Sequence, residues 1–448
     1  MRPKTLGELK ASYPLEKLRR SVPEEVRENL IERLKSRAPL LPGIHGYEES
    51  VFPALAAAIL AGHDVIFLGT RGQAKSRITR LLPTLLDEAI PALPTPMRDN
   101  PLNPVSPEGK RLLWEKGDEA PIVWLSREER YLEKLATPDV SVADLIGDLD
   151  PIKAARRGRE LGDLEAIHYG LLPRANRGIF ALQELPDLAP KVQVALFNVL
   201  EEGDVQIRGF PLRLPLDLWL VFTANPEDYT ARGRIVTPLK DRIEAEIRTH
   251  YPRTLEEGLK ITRQEAKIPE EVTFPEPLFR VVERLAFLAR KDPRVEAASG
   301  VSQRLPIAFA EAAAAGALRR HLIYNDPALV RPYDLHKGLF AVTGKLEPSY
   351  EGEAIGEEAL AKDLLEKALL AEFGTEGLGE VRAWFAQGGA LELPEGPLEA
   401  VKAALSQVPG LIPPEEDEAL ALSLAEARLE ALVGEGFLTR EEGLFQKR

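Results

Sequence analysis

The chain has 448 residues, with 58 Lys and Arg against 71 Asp and Glu, a net charge of −13 and no cysteine. That length allows two or three domains, and the acidic balance argues against a general nucleic-acid binder, which needs a basic face for phosphates. The lack of cysteine excludes disulfides, thiolate metal sites and a cysteine nucleophile. No apolar run approaches the ~20 residues of a membrane span, and Met1 to Lys10 hold no signal-peptide core, so a cytoplasmic protein without membrane contact is expected.

Residues 1–45 read as an N-terminal helical segment. Ser21-Val22-Pro23-Glu24 is a capping-box pattern with Pro in the first turn. The helix it opens carries Val26, Leu30, Ile31 and Leu34 on one face, and is expected to dock on the domain that follows. Pro39, Pro42 and Gly43 end it, and an Ala-rich apolar helix over about 48–61 comes next.

Residues 46–252 alternate strands and helices, which implies a parallel sheet covered on both faces. Strands are expected at about 64–68, 121–126, 178–183, 217–224 and 245–250. The first, Val65 to Leu68, runs into Gly69-Thr70-Arg71-Gly72-Gln73-Ala74-Lys75-Ser76, a phosphate-loop pattern with Ala74 where Gly is usual. Gly69 and Gly72 allow unusual backbone angles, and the helix N-terminus favours an anion. Lys75 would reach the phosphates and Ser76 would hold Mg²⁺. A chance Lys-Ser after a glycine turn gives the same pattern, but not the strand before it and the helix after it. Ala74 is expected to take an ordinary helical φ.

The helix after the loop, 75–90, contains Pro83 and should kink there. The proline-rich stretch 91–107 reads as an irregular surface excursion. Arg156, Arg157 and Arg159, in a polar stretch, read as a solvated face. A hairpin inserted near 204–217 is indicated by Val205 and Ile207, a Gly209-Phe210-Pro211 turn, and Leu212, Leu214 and Leu216.

Six further positions bear on chemistry. Gly178 to Leu182 is an apolar run ending in Gln183-Glu184. Glu184 stands where a water-activating base belongs; Gln183 stands where an Asp would hold Mg²⁺, and an amide orients a metal ligand without supplying charge. Asn225 ends the next buried strand and suits a water-positioning role, or a turn before Pro226. Arg242 could act as an arginine finger on a neighbouring subunit, Arg174 is a second candidate for that role, and Arg304 could report the γ-phosphate. Each of these is also, taken alone, an ordinary surface residue.

The phrases from Val142 to Gly147, Tyr169 to Phe180, Gln193 to Gly203 and Phe222 to Pro226 resemble the AAA+ ATPases of the magnesium-chelatase small-subunit and MoxR-like group over about residues 40–345. Leu171-Leu172-Pro173-Arg174-Ala175-Asn176-Arg177-Gly178 is the most diagnostic of them. The resemblance implies an α/β fold with a five-stranded parallel P-loop sheet (the AAA+ core, 46–252), an α-helical lid (253–348), ring-shaped hexamers, and a partner carrying a von Willebrand factor A domain. It implies ATP and Mg²⁺ as ligands, with Lys75 and Ser76 on phosphate and metal, Glu184 as base, Asn225 as first sensor, Arg304 as second sensor and Arg242 as finger. Gln183 departs from the family's Asp. Residues 349–448 lie outside the resemblance and read as a small acidic helical appendage. The function implied is ATP-driven remodelling or activation of a partner; the rivals are an ATP-binding scaffold with impaired hydrolysis and a genuine magnesium chelatase subunit.

Overall fold

The computed structural model describes residues 2–149, 167–207, 213–226, 235–296 and 300–448. The chain forms two compact units, Met1–Thr70 with Ala74–His250, and Arg71–Gln73 with Tyr251–Arg448.

The strands of the first unit are β1 (Val65–Leu68), β2 (Ala89–Ala92), β3 (Val123–Ser126), β4 (Tyr131–Leu135), β5 (Gly147–Leu149), β6 (Ile167–Tyr169), β7 (Gly178–Gln183), β8 (Asp204–Gln206), β9 (Arg213–Pro215), β10 (Leu218–Ala224) and β11 (Ala245–Arg248). Five of them form a parallel sheet in the order β11-β1-β10-β7-β4. Side chains alternate between two cores, as a period of two requires. Val65, Phe67, Ile179, Trp219 and Val221 face one core, packed by the helices Val22–Lys35 and Val51–Ala61. Ile66, Leu68, Phe180, Leu182, Leu220 and Phe222 face the other, packed by helices of residues 171–202. With both faces covered, these strands are continuous apolar runs.

The fifth strand is not the expected one. The run 121–126 does form a strand, β3, but it pairs antiparallel with β2 outside the main sheet. The sheet's edge is β4, in register with β7 from Tyr131 opposite Ile179 to Leu135 opposite Gln183. Exposed Glu133 and Leu135 are tolerated because one side of an edge strand meets solvent. The helix after the loop is also shorter than expected: Lys75–Leu81 gives way to a 3₁₀ turn, Leu82–Leu85, that accommodates Pro83, and then to β2.

The proline-rich stretch is irregular but folds inward. Met97, Asp99 and Ser106 are buried. The Asp99 carboxylate accepts from Val105 N at 2.6 Å, Ser106 N at 2.8 Å and the hydroxyls of Thr95 and Ser106, so the loop is ordered around one fully bonded acid. The inserted hairpin is present as β8 paired with β9. Its turn, Gly209 to Pro211, the following Leu212, and the arginines at 156, 157 and 159 lie outside the described residues.

The second unit opens with the helices Leu255–Glu265, Glu276–Ala289, Arg304–Tyr324 and Pro332–Lys337. Their core continues through Glu357–Phe373, which contributes Leu360, Leu364, Leu365 and Leu369. The helical lid and the start of the appendage therefore share one core. The rest of the appendage is not purely helical. After Gly379–Ala386 come β12 (Ala390–Glu392), the helices Leu398–Leu405 and Glu418–Gly434, β13 (Leu438–Glu441) and β14 (Leu444–Lys447), forming an antiparallel sheet in the order β12-β14-β13. This helix–strand–helix–helix–strand–strand order is that of a winged helix. Its long helix is buried on several sides: Ala427 joins the lid core, while Leu422, Ala425, Leu429 and Leu432 join the appendage core. Buried Glu426 pairs with Arg331 at 2.9 Å, and buried Glu430 with His336 at 3.0 Å and Arg440 at 2.9 Å.

Candidate nucleotide site

The phosphate loop leaves the carboxyl end of β1 beside β10, where Gly69 N donates to Ala224 O at 3.2 Å. Ligands of open parallel sheets bind at this end. Lys75 opens the following helix and its ammonium is buried. It donates to Gly69 O, to Thr70 O at 3.0 Å and to Asn225 Oδ1 at 2.5 Å. Lys75 and the Asn225 amide, 150 positions apart in the sequence, thus meet because β1 and β10 are neighbours.

The loop's left-handed residues are Gly72 (φ +74) and Ala74 (φ +58), not Gly69 and Gly72. Ala74 is the residue before the helix, not its first turn, so the expectation of an ordinary helical φ is wrong. Its methyl sits in a conformation that costs an L-residue roughly 1–2 kcal/mol. Arg71, Gly72 and Gln73 group with the second unit, within which the Tyr251 hydroxyl donates to Arg71 O at 2.8 Å.

Gln183 ends β7, buried, and three hydroxyls converge on its amide. Oε1 accepts from Ser76 Oγ at 3.1 Å and from Thr223 Oγ1 at 3.0 Å; Nε2 donates to Thr79 Oγ1 at 2.8 Å. Glu184 follows in the left-handed region (φ +56), and its N–H donates to Thr223 Oγ1 at 3.0 Å. That backbone strain falls on the residue expected to be the base.

The arginines are placed differently. Arg242 Nε and NH2 donate to Glu201 Oε2 at 3.0 and 2.7 Å, NH1 donates to Pro238 O at 2.8 Å, and the guanidinium stacks 4.9 Å from the Phe197 ring. Arg174 is exposed on the short helix Leu171–Ala175. Arg304 heads a helix of the second unit, exposed, with its N–H on Ser302 Oγ at 3.1 Å. Ser76, Lys75, Gln183 and Asn225 are therefore brought together within the first unit, and Arg242 is bonded elsewhere.

Thr79 and Thr223 were not legible as site residues. Only Thr79's position, one helical turn beyond Ser76, hinted that the two share a face.

Much of the diagnostic phrase is structural. Asn176 Nδ2 donates to Met97 O at 2.9 Å, and its Oδ1 accepts from Asp217 N at 2.8 Å. Arg177 is left-handed (φ +64), and its NH1 donates to Pro91 O at 2.8 Å. Burial pushes its guanidinium down to about 10. A Cβ at Gly178 would lie 2.0 Å from Arg130 O, so only glycine fits.

A buried lysine and an exposed serine thus stand at the carboxyl end of a five-stranded parallel sheet, beside the Gln183 strand end and the Asn225 amide, in the arrangement of a phosphate-loop α/β core. Residues 162–245 match the family model of the sigma-54 interaction domain. The magnesium-chelatase 38 kDa subunit of Cereibacter sphaeroides is 29% identical over 216 residues, 47% of this chain and 59% of that subunit. The match thus spans about three fifths of that relative. An uncharacterized protein of Bacillus subtilis, YeaC, is 26% identical over 272 residues, 55% of this chain and 82% of that one. Among solved structures, a chain of the complex between subunits BchI and BchD of magnesium chelatase covers 69% of this chain and 97% of its own length at 21% identity, with a TM-score of 0.37. Over about half of its length the chain is similar to magnesium-chelatase 38 kDa subunits.

Proposed function

We propose that the chain binds ATP at residues 69–76 and hydrolyses it within a homo-oligomeric, hexameric ring to remodel or activate a partner protein of the chelatase or metal-cofactor maturation type. A partner with a von Willebrand factor A domain fits this reading, which the chelatase relatives support. Its central observation is the meeting of Lys75 with Asn225 and of Ser76 with Gln183 at the carboxyl ends of β1, β10 and β7. Lys75 would give its donors to the β- and γ-phosphates, and Asn225, released from the ammonium, would position the attacking water. Glu184 would accept that water's proton, Arg242 or Arg174 would reach a neighbour's nucleotide, and Arg304 would sense the γ-phosphate.

Mg²⁺ entering with the nucleotide would screen phosphate charge. Ser76 Oγ gives its proton to Gln183 and keeps its lone pairs for a cation, so the orientation suits a metal. The charge does not: a hydroxyl and an amide are neutral, and among the described residues no group of three or more His, Asp or Glu could hold a metal ion. Gln183 is thus what favours a second reading, a nucleotide-binding scaffold that turns over little. Turnover of the purified chain beside Gln183→Asp separates the two. Comparable rates support the motor, whereas activity in the variant alone supports the scaffold. Insertion of Mg²⁺ into protoporphyrin with supplied partner subunits tests a genuine chelatase role.

A further inference from the structure

We infer that this site takes its nucleotide almost independently of divalent cation, because the Gln183 amide has replaced the metal's charge partner with a closed hydroxyl network. The inference rests on the proposed nucleotide-binding role and specifies its ligand as the metal-free nucleoside di- or triphosphate.

The donor and acceptor pattern around position 183 is specific to an amide. Thr79 Oγ1 spends its one proton on Ser76 O at 3.0 Å, so it takes a hydrogen bond from Gln183 Nε2. Tyr131 OH lies 3.2 Å from the same oxygen but closer, 2.9 Å, to Glu133 Oε2. Thr223 Oγ1 takes the Glu184 N–H and gives its own proton to Gln183 Oε1, which also receives the Ser76 proton. Each hydroxyl proton in the circuit, those of Ser76, Thr79 and Thr223, has one acceptor. A carboxylate at 183 could accept from Ser76 and Thr223 but could donate nothing to Thr79. The amide is therefore matched to its surroundings, and position 183 contributes no negative charge to a cation.

Linkage turns this into an affinity statement. The factor by which Mg²⁺ changes nucleotide affinity equals the factor by which the nucleotide site changes Mg²⁺ affinity. With Glu184 assigned to the attacking water and no carboxylate at position 183, the site offers the ion one hydroxyl and holds the metal about as well as the free nucleotide does, so the factor is near one. The buried Lys75 ammonium remains as the charge that faces phosphate with or without the ion.

The test is titration of the full chain with mant-labelled ADP, in excess Mg²⁺ and in EDTA. The two Kd values are expected to agree within about threefold, and Gln183→Asp is expected to bind about 10–100-fold tighter with Mg²⁺ than without. Gln183→Glu, which keeps the chain length, gives the same comparison if the Asp variant fails to fold. Tightening of the unmodified protein by Mg²⁺ of about tenfold or more overturns the inference. So does a carboxylate variant that gains no metal dependence. Failure to bind under either condition, or binding that Lys75→Ala leaves intact, overturns instead the nucleotide-binding reading beneath it.

Discussion

Arg242 is held by Glu201 of its own chain, with Nε and NH2 both on Oε2 at 3.0 and 2.7 Å. In the proposed role as a finger, Arg242 must leave this carboxylate before it meets a phosphate. In the assembled protein Arg242→Ala is expected to lower turnover by about 10³-fold with nucleotide affinity unchanged. Glu201→Gln, which removes the restraining charge, is expected to raise turnover. If Arg242→Ala leaves turnover unchanged and the protein sediments as a monomer with ATP present, the trans-acting role moves to Arg174.

Ala74 predicts an unusual gain from glycine. Its φ of +58 is strained for alanine and free for glycine, while glycine loses more entropy on folding. Ala74→Gly is expected to stabilise the first unit by about 0.5–1 kcal/mol, and Ala74→Val to destabilise it by more. Denaturation midpoints followed by Trp219 fluorescence measure both.

At the opposite end of β1, burial raises the Asp64 carboxyl to about 7. The Leu220 N–H bonded to it at 2.8 Å works against the rise, and nearby Glu244 adds to it. Between about pH 4 and pH 7 the native state holds a proton that the unfolded chain has lost, so this group's contribution to stability falls as pH rises through that window. Asp64→Asn keeps the acceptor for Leu220 and removes the slope. It is expected to raise stability at about pH 8 by on the order of 1–2 kcal/mol and to do little at about pH 4. An unchanged difference between the two pH values would refute the assignment.

Burial separates two ion pairs of the N-terminal helix. Arg130 meets Glu25 with two bonds, 2.8 and 2.6 Å, both side chains almost wholly buried. Glu25→Ala is expected to cost about 3–5 kcal/mol because it leaves a buried guanidinium without its carboxylate. Lys35–Glu32, at 3.0 Å and fully open to water, should be worth almost nothing when broken. Thermal melts of the two variants provide the comparison.

The appendage has winged-helix order but not a nucleic-acid-reading surface. Between Gly379 and Arg448 stand thirteen acidic and six basic side chains, and the long helix is packed on several sides. Duplex DNA is expected not to bind the full chain at moderate salt in a mobility-shift assay.

The central strands were legible because burial on both faces leaves an unbroken apolar run, as in Val65 to Leu68 and Leu218 to Ala224. Edge strand β4 was not: Tyr131-Leu132-Glu133-Lys134-Leu135 mixes charge and apolar residues, and the more apolar β3 nearby was a better decoy. Lys75 and Ser76 stood out by the glycine-containing loop before their helix, and Gln183 and Asn225 by their strand-end positions; the structure brings the four side chains together. Thr79 and Thr223 did not stand out, because a hydroxyl on a helix or strand becomes a partner only once three strands stand side by side. The geometry of Ala74 was hidden for a related reason: a residue just before a helix can be either in it or turned out of it, and the loop's closure decides.

The shared core of the second unit changes what the C-terminal hundred residues are. Leu360, Leu364, Leu365 and Leu369 form one wall of the lid interior, and Ala427 closes it from farther along the chain. A chain ending near 348 would expose that wall to water, so the segment that departs from the family resemblance is an obligate part of this lid.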